Sequence, residues 1–193
     1  MTAGALIVAA GFSRRFGSDK RRYVVADGDP LLLATVKVYS EVFPNVAVVL
    51  RDDDGPLAND LLGDLEQRRP PIIVSTDQAH LGMGHSMADG VRAVANWDYL
   101  FLALGDMPFV QATTLRALRH KMSDARHRGD TLILRPRCDD RGGHPVGFSC
   151  EYFGELTALK GDDGARPVVE AHAAELEYLD TSDRGVLTDI DRP

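Results

Sequence analysis

Short apolar runs alternate along this chain with longer stretches in which apolar side chains recur every three or four positions. The first pattern predicts strands over 3–10, 46–50, 71–75, 99–105 and 131–135, with weaker ones near 144–149, 175–180 and 186–190. The second predicts helices over 31–42, 57–68, 86–96 and 112–128. Pro70 and Pro71 end one helix and open the next strand, because they lack N–H donors and restrict the backbone before them. Strands alternating with helices specify an α/β fold on a mainly parallel sheet. No repeat, low-complexity tract or linker interrupts the pattern, so residues 1–193 read as a single domain. In such sheets ligands sit beyond the carboxyl ends of the strands, which directs attention to the segments just after each apolar run.

The first of these segments carries the strongest chemistry. The run Ala5-Leu6-Ile7-Val8-Ala9-Ala10 breaks into Gly11-Phe12-Ser13-Arg14-Arg15-Phe16-Gly17-Ser18-Asp19-Lys20. Gly11 and Gly17 free the backbone to turn N–H groups toward an anion, and Arg15 and Lys20 can neutralise phosphate oxygens. A Walker loop has four residues between its glycines and a Lys directly after the second; here five residues intervene and Lys20 follows three positions later. A dinucleotide fingerprint needs a glycine where this chain has Ser13. What remains is A-A-G-x-S-x-R-x-G-x-x-K, a loop suited to a nucleoside triphosphate.

Charge sharpens this reading. The chain has a net charge of −7, which argues against a nucleic-acid partner, yet Arg14, Arg15, Lys20, Arg21 and Arg22 place five cations within nine residues. No stretch approaches the roughly 20 apolar residues of a membrane span, and no basic segment with a cleavage site opens the chain. Cys138 and Cys150 form neither a C-x-x-C pair nor a disulfide framework. A cytoplasmic location and no membrane association are therefore expected. A chain of 193 residues buries roughly 70% of its unfolded surface and needs no covalent staple.

Later segments supply carboxylates and smaller contacts. Asp106, in Gly105-Asp106-Met107-Pro108 after an apolar run, is placed to take a divalent cation bridging triphosphate oxygens; the alternative is a helix cap. Asp189 and Asp191 point the same way in extended chain, so both can face a metal, or one can bind it while the other orients a water or a Lys. In His80-Leu81-Gly82-Met83-Gly84-His85-Ser86-Met87, Gly82 and Gly84 allow close backbone approach to a flat ligand, and Ser86 either caps a helix or bonds a base or ribose. His80 and His85 lack zincin spacing. His144, beside Pro145 at a strand entrance, can touch an acceptor substrate, and Gly161-Asp162-Asp163-Gly164-Ala165-Arg166 is either a turn or part of the site.

Together these segments occur in an order that resembles the MobA-like NTP transferase family, which serves the molybdenum cofactor. The His144-Pro145 and Gly161–Arg166 elements resemble its cytidylyltransferase branch more than its guanylyltransferase branch. The resemblance implies a Rossmann-like three-layer sandwich of the nucleotide-diphospho-sugar transferase type. It also implies a triphosphate on the loop of Gly11, Ser13, Arg15, Gly17 and Lys20, a base near Ala9, Ala10 and the Gly82, Gly84 and Ser86 loop, and Mg²⁺ between Asp106 and Asp191. Guanine-using relatives tend to carry Gly where this chain has Ala10, and the extra methyl favours CTP over GTP by about 1–3 kcal/mol. Arg21 and Arg22 stand where relatives have apolar residues, which suggests additional anionic charge on the acceptor.

The activity so implied is transfer of CMP from CTP to the phosphate of an acceptor such as Mo-molybdopterin, with Arg15, Lys20 and Asp106 catalytic, His144 on the acceptor, and delivery of the product to a molybdoenzyme. The alternatives are a guanylyltransferase, a transferase for another phosphorylated acceptor, or a non-catalytic carrier of nucleotide or cofactor.

Overall fold

The computed structural model describes residues 1–13, 16–62 and 70–192. Its strands are β1 (Ala3–Val8), β2 (Val46–Arg51), β3 (Ile72–Thr76), β4 (Tyr99–Leu104), β5 (Ile133–Cys138), β6 (Arg141–Gly142), β7 (Val146–Ser149) and β8 (Leu176–Asp180). The helices are α1 (Leu31–Ser40), α2 (Gly55–Leu62), α3 (Met83–Ala93), α4 (Ala112–Arg128), α5 (Phe153–Leu156) and α6 (Arg166–Ala171).

One mixed sheet runs β3-β2-β1-β4-β7-β5-β6, with β8 alongside β5. β1 pairs parallel to β2 and to β4, in register Ile7 with Val48 and Ala103. These central strands are covered on both faces, so they read as unbroken apolar runs. β7 is antiparallel to both β4 and β5, while β8 is parallel to β5. The fold is thus the Rossmann-like α/β sandwich expected, with a mainly parallel mixed sheet.

Two apolar layers flank the sheet. On one face Ile7, Val48, Phe101 and Ala103 pack with Val36 of α1 and Leu115, Leu118 and Met122 of α4. On the other, Leu6, Val49, Leu102 and Phe148 pack with Met87 and Val91 of α3 and Leu156 of α5. α4 shows why such a segment is helical: its buried residues Leu115, Leu118, Met122 and Ala125 recur every three or four positions. Arg126, His127 and Arg128 complement the dipole in its last turn, and Gly129, at φ 83°, ends it in the left-handed conformation.

Several predicted boundaries shift. β1 ends at Val8 rather than 10: Val8 is the last residue paired with both β2 and β4, and Ala9, still buried, gives the closing ladder bond from its N–H to the Val49 carbonyl at 3.0 Å. The strand expected over 131–135 runs instead over Ile133–Cys138, set by its pairing with β8. Residues 186–190 form no strand; Arg184–Leu187 make a 3-10 turn capped by the Asp183 carboxylate, which accepts from the Gly185 N–H at 2.9 Å. α3 starts at Met83 instead of 86, and the predicted stretch 63–68 of the second helix lies outside the described residues.

Candidate active site

β1 has β2 on one side and β4 on the other, so its carboxyl end is where the connections diverge and leave a crevice. A cleft of about 440 Å³ opens there. Ala9, Ala10, Gly11 and Ser13 line one wall, and Gly82, Met83 and Ser86 another. Lys20, Gly105 and Asp106 line it as well. Gly17, Gly84, His144 and Asp191 lie outside its lining, and Arg15 lies outside the described residues.

The first loop is shaped by its own backbone. Ser13, not a glycine, occupies the left-handed region at φ 51°; its carbonyl accepts from Phe16 N–H at 2.9 Å and its hydroxyl from Lys20 N–H at 3.3 Å. A Cβ at Gly11 would meet nothing, so conformational freedom is required at Gly17, whose φ is 78°, rather than at Gly11. Lys20 then opens a 3-10 turn, Lys20–Arg22, capped by Asp19.

The two cations expected to serve the acceptor are otherwise engaged. Arg21 is only 3% exposed and donates to both carboxylate oxygens of Asp19 (2.8 and 2.7 Å), to both of Asp54, and to the carbonyl of Ala9 at 3.1 Å. Asp54 also accepts from the Arg51 guanidinium and backbone N–H, and Arg51 reaches the Gly11 carbonyl and stacks over Phe12. Burial alone would raise the Asp19 pKa, but the Arg21 hydrogen bond and charge reverse this and lower it. Arg22 pairs with Asp60 at the surface. Arg21 therefore clamps the loop to the end of β2 and offers no free charge to a substrate.

The glycines after β3 also serve the packing of the chain. Gly82, at φ 120°, and Gly84 let the backbone of Lys160 and Gly161 pack against the start of α3; a Cβ on Gly84 would stand 2.7 Å from the Lys160 carbonyl oxygen. Gly84 N–H donates to Gly161 O at 2.7 Å and Met83 N–H to the Asp162 carboxylate at 3.3 Å. The Gly161–Arg166 segment is thus a clasp on α3, and Asp162 also lines the cleft. Ser86 lies inside α3 and is buried, so it caps nothing; it faces the cleft.

At the mouth the acidic groups converge. Gly105 brings the end of β4 so close to β1 that a Cβ would lie 2.8 Å from that of Ala9. Asp106 follows, and its carbonyl accepts the Ile190 N–H at 3.0 Å, drawing the chain's last residues against the site. Oxygens of Asp106, Asp189 and Asp191 come within 4.8 Å of one another. The Lys20 ammonium bonds Asp106 Oδ2 and lies 3.5 Å from Asp191 Oδ1. Burial would lower the Lys20 pKa, but Asp106 and then Asp191 outweigh it and raise it, so the ammonium stays charged. Asp106 Oδ1 is buried and has no hydrogen-bond partner among the described residues. An oxygen-only donor set with one unsatisfied buried carboxylate oxygen fits a hard divalent cation.

Asp183, which the sequence reading passed over, anchors this tail. It is buried and accepts from Gln111 N–H at 2.8 Å as well as from Gly185. Val186 O accepts the His144 N–H at 2.8 Å. His144 thus sits beside the tail, largely buried, its pKa pushed down to about 4 by burial and then by Arg135, against the opposing charge of Asp189. The sequence signal for Asp183 was Ser-Asp-x-Gly at a turn. No helix among the described residues is long and apolar enough to cross a membrane.

Comparison with known proteins bears on the family and the fold. The purine catabolism protein PucB of Bacillus subtilis is 28% identical over 197 residues, covering 97% of this chain and 91% of that protein. Rv0371c of Mycobacterium tuberculosis is 26% identical in a crystal structure superposing with a TM-score of 0.77, over 94% of this chain and 88% of that one. A second structure of Rv0371c, in complex with manganese, gives 24% identity and a TM-score of 0.73, covering 94% of this chain and 89% of that one. Molybdopterin-guanine dinucleotide biosynthesis protein A of Archaeoglobus fulgidus shares the fold at 19% identity and a TM-score of 0.62, covering 100% of this chain and 93% of that one. A family model described as the MobA-like NTP transferase domain matches residues 5–176, and the chain belongs to that family.

Proposed function

We propose that the chain is a molybdenum cofactor cytidylyltransferase: it transfers CMP from CTP to the phosphate of a molybdopterin-type acceptor and releases pyrophosphate. The observation that carries this reading is the Lys20 ammonium bonded to Asp106, with Asp189 and Asp191 beside it, at the mouth of a cleft following β1.

An acceptor phosphate oxygen attacks the α-phosphorus in line; the bond to the bridging oxygen breaks, and its electron pair leaves with pyrophosphate. The protein contributes position and charge, which dominate such transfers. Lys20, charged at neutral pH, holds triphosphate oxygens, joined by Arg15 on the strength of the family motif. The backbone after β1, with Ala9 and Ala10, faces the base, and the Ala10 methyl narrows the space for a purine by an amount equivalent to about 1–3 kcal/mol. A divalent cation, Mg²⁺ in this reading, held by Asp106 and Asp191 with Asp189 alongside, neutralises phosphate oxygens when bound. The manganese complex of Rv0371c supports a cation role, and delivery of the product to a molybdoenzyme follows from the acceptor.

The test is pyrophosphate release from CTP and, separately, GTP with Mg²⁺ and molybdopterin. Turnover with CTP at least tenfold faster than with GTP is expected. Faster turnover with GTP overturns the nucleotide assignment, and binding of either nucleotide without pyrophosphate release leaves a carrier.

A further inference from the structure

We propose that Arg135, with His144 beside it, forms a second recognition subsite, in which Arg135 binds a negatively charged group of the acceptor remote from the phosphate that reacts. The inference rests on the nucleotidyltransferase reading above and names the acceptor class: a phosphate ester bearing a second anion.

The neighbouring arginines show what is unusual about Arg135. Arg137 pairs with Asp180 at 2.6 Å, Arg166 with Glu170 at 2.6 Å, and Arg184 with Asp139 at 3.1 Å. Arg135 is half-buried in β5 and has no carboxylate partner among the described residues; its Nε donates to the Gly143 carbonyl at 2.9 Å. Burial disfavours its charge, and its pKa is lowered accordingly. A desolvated guanidinium is costly to hold without a counter-charge, and its planar fork is matched to an oxyanion. The sequence makes room for it: a Cβ on Gly142 would lie 2.8 Å from Arg135 Nε and 2.9 Å from its central carbon.

His144 presents the second unexplained group. Its Nδ1 is buried without a hydrogen-bond partner among the described residues. Its ring also hydrogen-bonds the Leu102 backbone, which takes the one N–H of a neutral imidazole, so Nδ1 is left to accept from an N–H or O–H of a group held beside Arg135.

Register places both residues in line with the reacting end. Ile133 packs in the same apolar layer as Leu102 and Val146, and Arg135, two residues on, faces the same side of the sheet. That is the side of α3, whose Met83 and Ser86 line the cleft. Leu102 opposes Val146, so His144 stands at the β7 entrance next to the carboxyl end of β4, beyond which lies Asp106. Arg135 is level with Val146 and so with Leu102, which sets its backbone about 10 Å from that of Asp106 across two strands and about 13 Å along them, roughly 16 Å in all, a span that the guanidinium, reaching to Gly143, shortens. An acceptor with its phosphate at Asp106 and its second anion at Arg135 would cross His144 on the way.

The experiment uses the full chain with CTP and Mg²⁺ and measures pyrophosphate release for three acceptor sets. These are molybdopterin, which offers a dithiolate; ω-phosphoalkanoates of increasing length, which offer a carboxylate; and the matching alkyl phosphates, which offer neither. The wild type is expected to prefer two-anion acceptors, with an optimum where the carboxylate lies about 10–16 Å from the phosphate. Arg135→Gln should collapse that preference by 10- to 100-fold through acceptor KM, with no matching rise in the KM for CTP, and Arg135→Lys should fall between.

Because Arg135 lacks a counter-charge, Arg135→Gln is expected to melt no lower than wild type; a fall of several degrees together with equal losses for all acceptors would assign a structural role and overturn the proposal. An unchanged preference in Arg135→Gln overturns it as well. If the wild type releases no pyrophosphate with any acceptor, the transferase reading fails. Titration of the same acceptors onto the chain loaded with a non-hydrolysable CTP analogue then decides the subsite: tenfold weaker binding of two-anion acceptors by Arg135→Gln supports it, and equal binding refutes it.

Discussion

Replacing Arg21 with Met tests whether the buried ion network holds the first loop. Arg21 is 3% and Asp54 5% exposed. Removing one partner of a buried pair costs about 3–5 kcal/mol, because the other charge is left uncompensated. Here the loss is softened: Asp54 keeps the Arg51 guanidinium at 2.8 Å and the Arg51 N–H at 3.0 Å, and Asp19, at 33% side-chain exposure, regains water. The low end, about 3 kcal/mol, is therefore expected, which for a chain of this size lowers Tm by about 6–12 °C. Arg22→Ala is the internal control: its pair with Asp60 is 47% and 57% exposed, so about 0.5 kcal/mol and a shift under ~2 °C are expected.

Acid sensitivity gives an independent readout. Asp19 has a folded pKa below its ordinary 3.8, so its contribution is present above that pH and is lost as pH falls through the folded value. Arg21→Met should remove this acid-side loss, which urea titrations between pH 5 and 2.5 would reveal. Because Arg21 also holds the Ala9 carbonyl, the KM for nucleotide should rise with little change in acceptor KM. A Tm within about 2 °C of wild type would refute the reasoning and leave Arg21 free for another role.

Three further outcomes follow from the site. Asp106→Asn should reduce pyrophosphate release by about 10²–10³-fold while CTP still binds, since it withdraws charge from where it is needed in the transition state; normal turnover in single-turnover assays would remove Asp106 from the chemistry. Ala10→Gly should shift the CTP-to-GTP ratio of kcat/KM toward GTP by about tenfold, and an unchanged ratio would show that the methyl does not face the base. Gly82→Ala forces a side chain to φ 120° and against Gly161, so a loss of at least ~2 kcal/mol in chemical denaturation is expected; a neutral effect would mean that the clasp on α3 readily yields.

The parts of this protein legible in its sequence are those governed by local rules. β1, β2 and β4 announce themselves as apolar runs because they are covered on both faces, and α4 because one stripe of it is. Lys20 and Asp106 could be singled out because each follows such a strand. What stayed hidden depends on residues far apart in the chain. Lys20 meets Asp106 across 86 positions and Asp191 across 171, and no periodicity encodes those meetings. Arg21 reads as substrate-facing in a run of cations, yet Asp54, 33 residues later, takes it out of solvent. Gly82 and Gly84 signal close approach, and the backbone near Gly161 is one group that makes it, while Gly82 also lines the cleft. In each case residue type fixed the chemistry available, charge for Arg21 and space for the glycines, while the partner that used it was set by packing. That distinction is why Arg135 stands out: packing has left a desolvated cation in β5 without a carboxylate among the described residues, and the group that completes it is to be sought in the substrate.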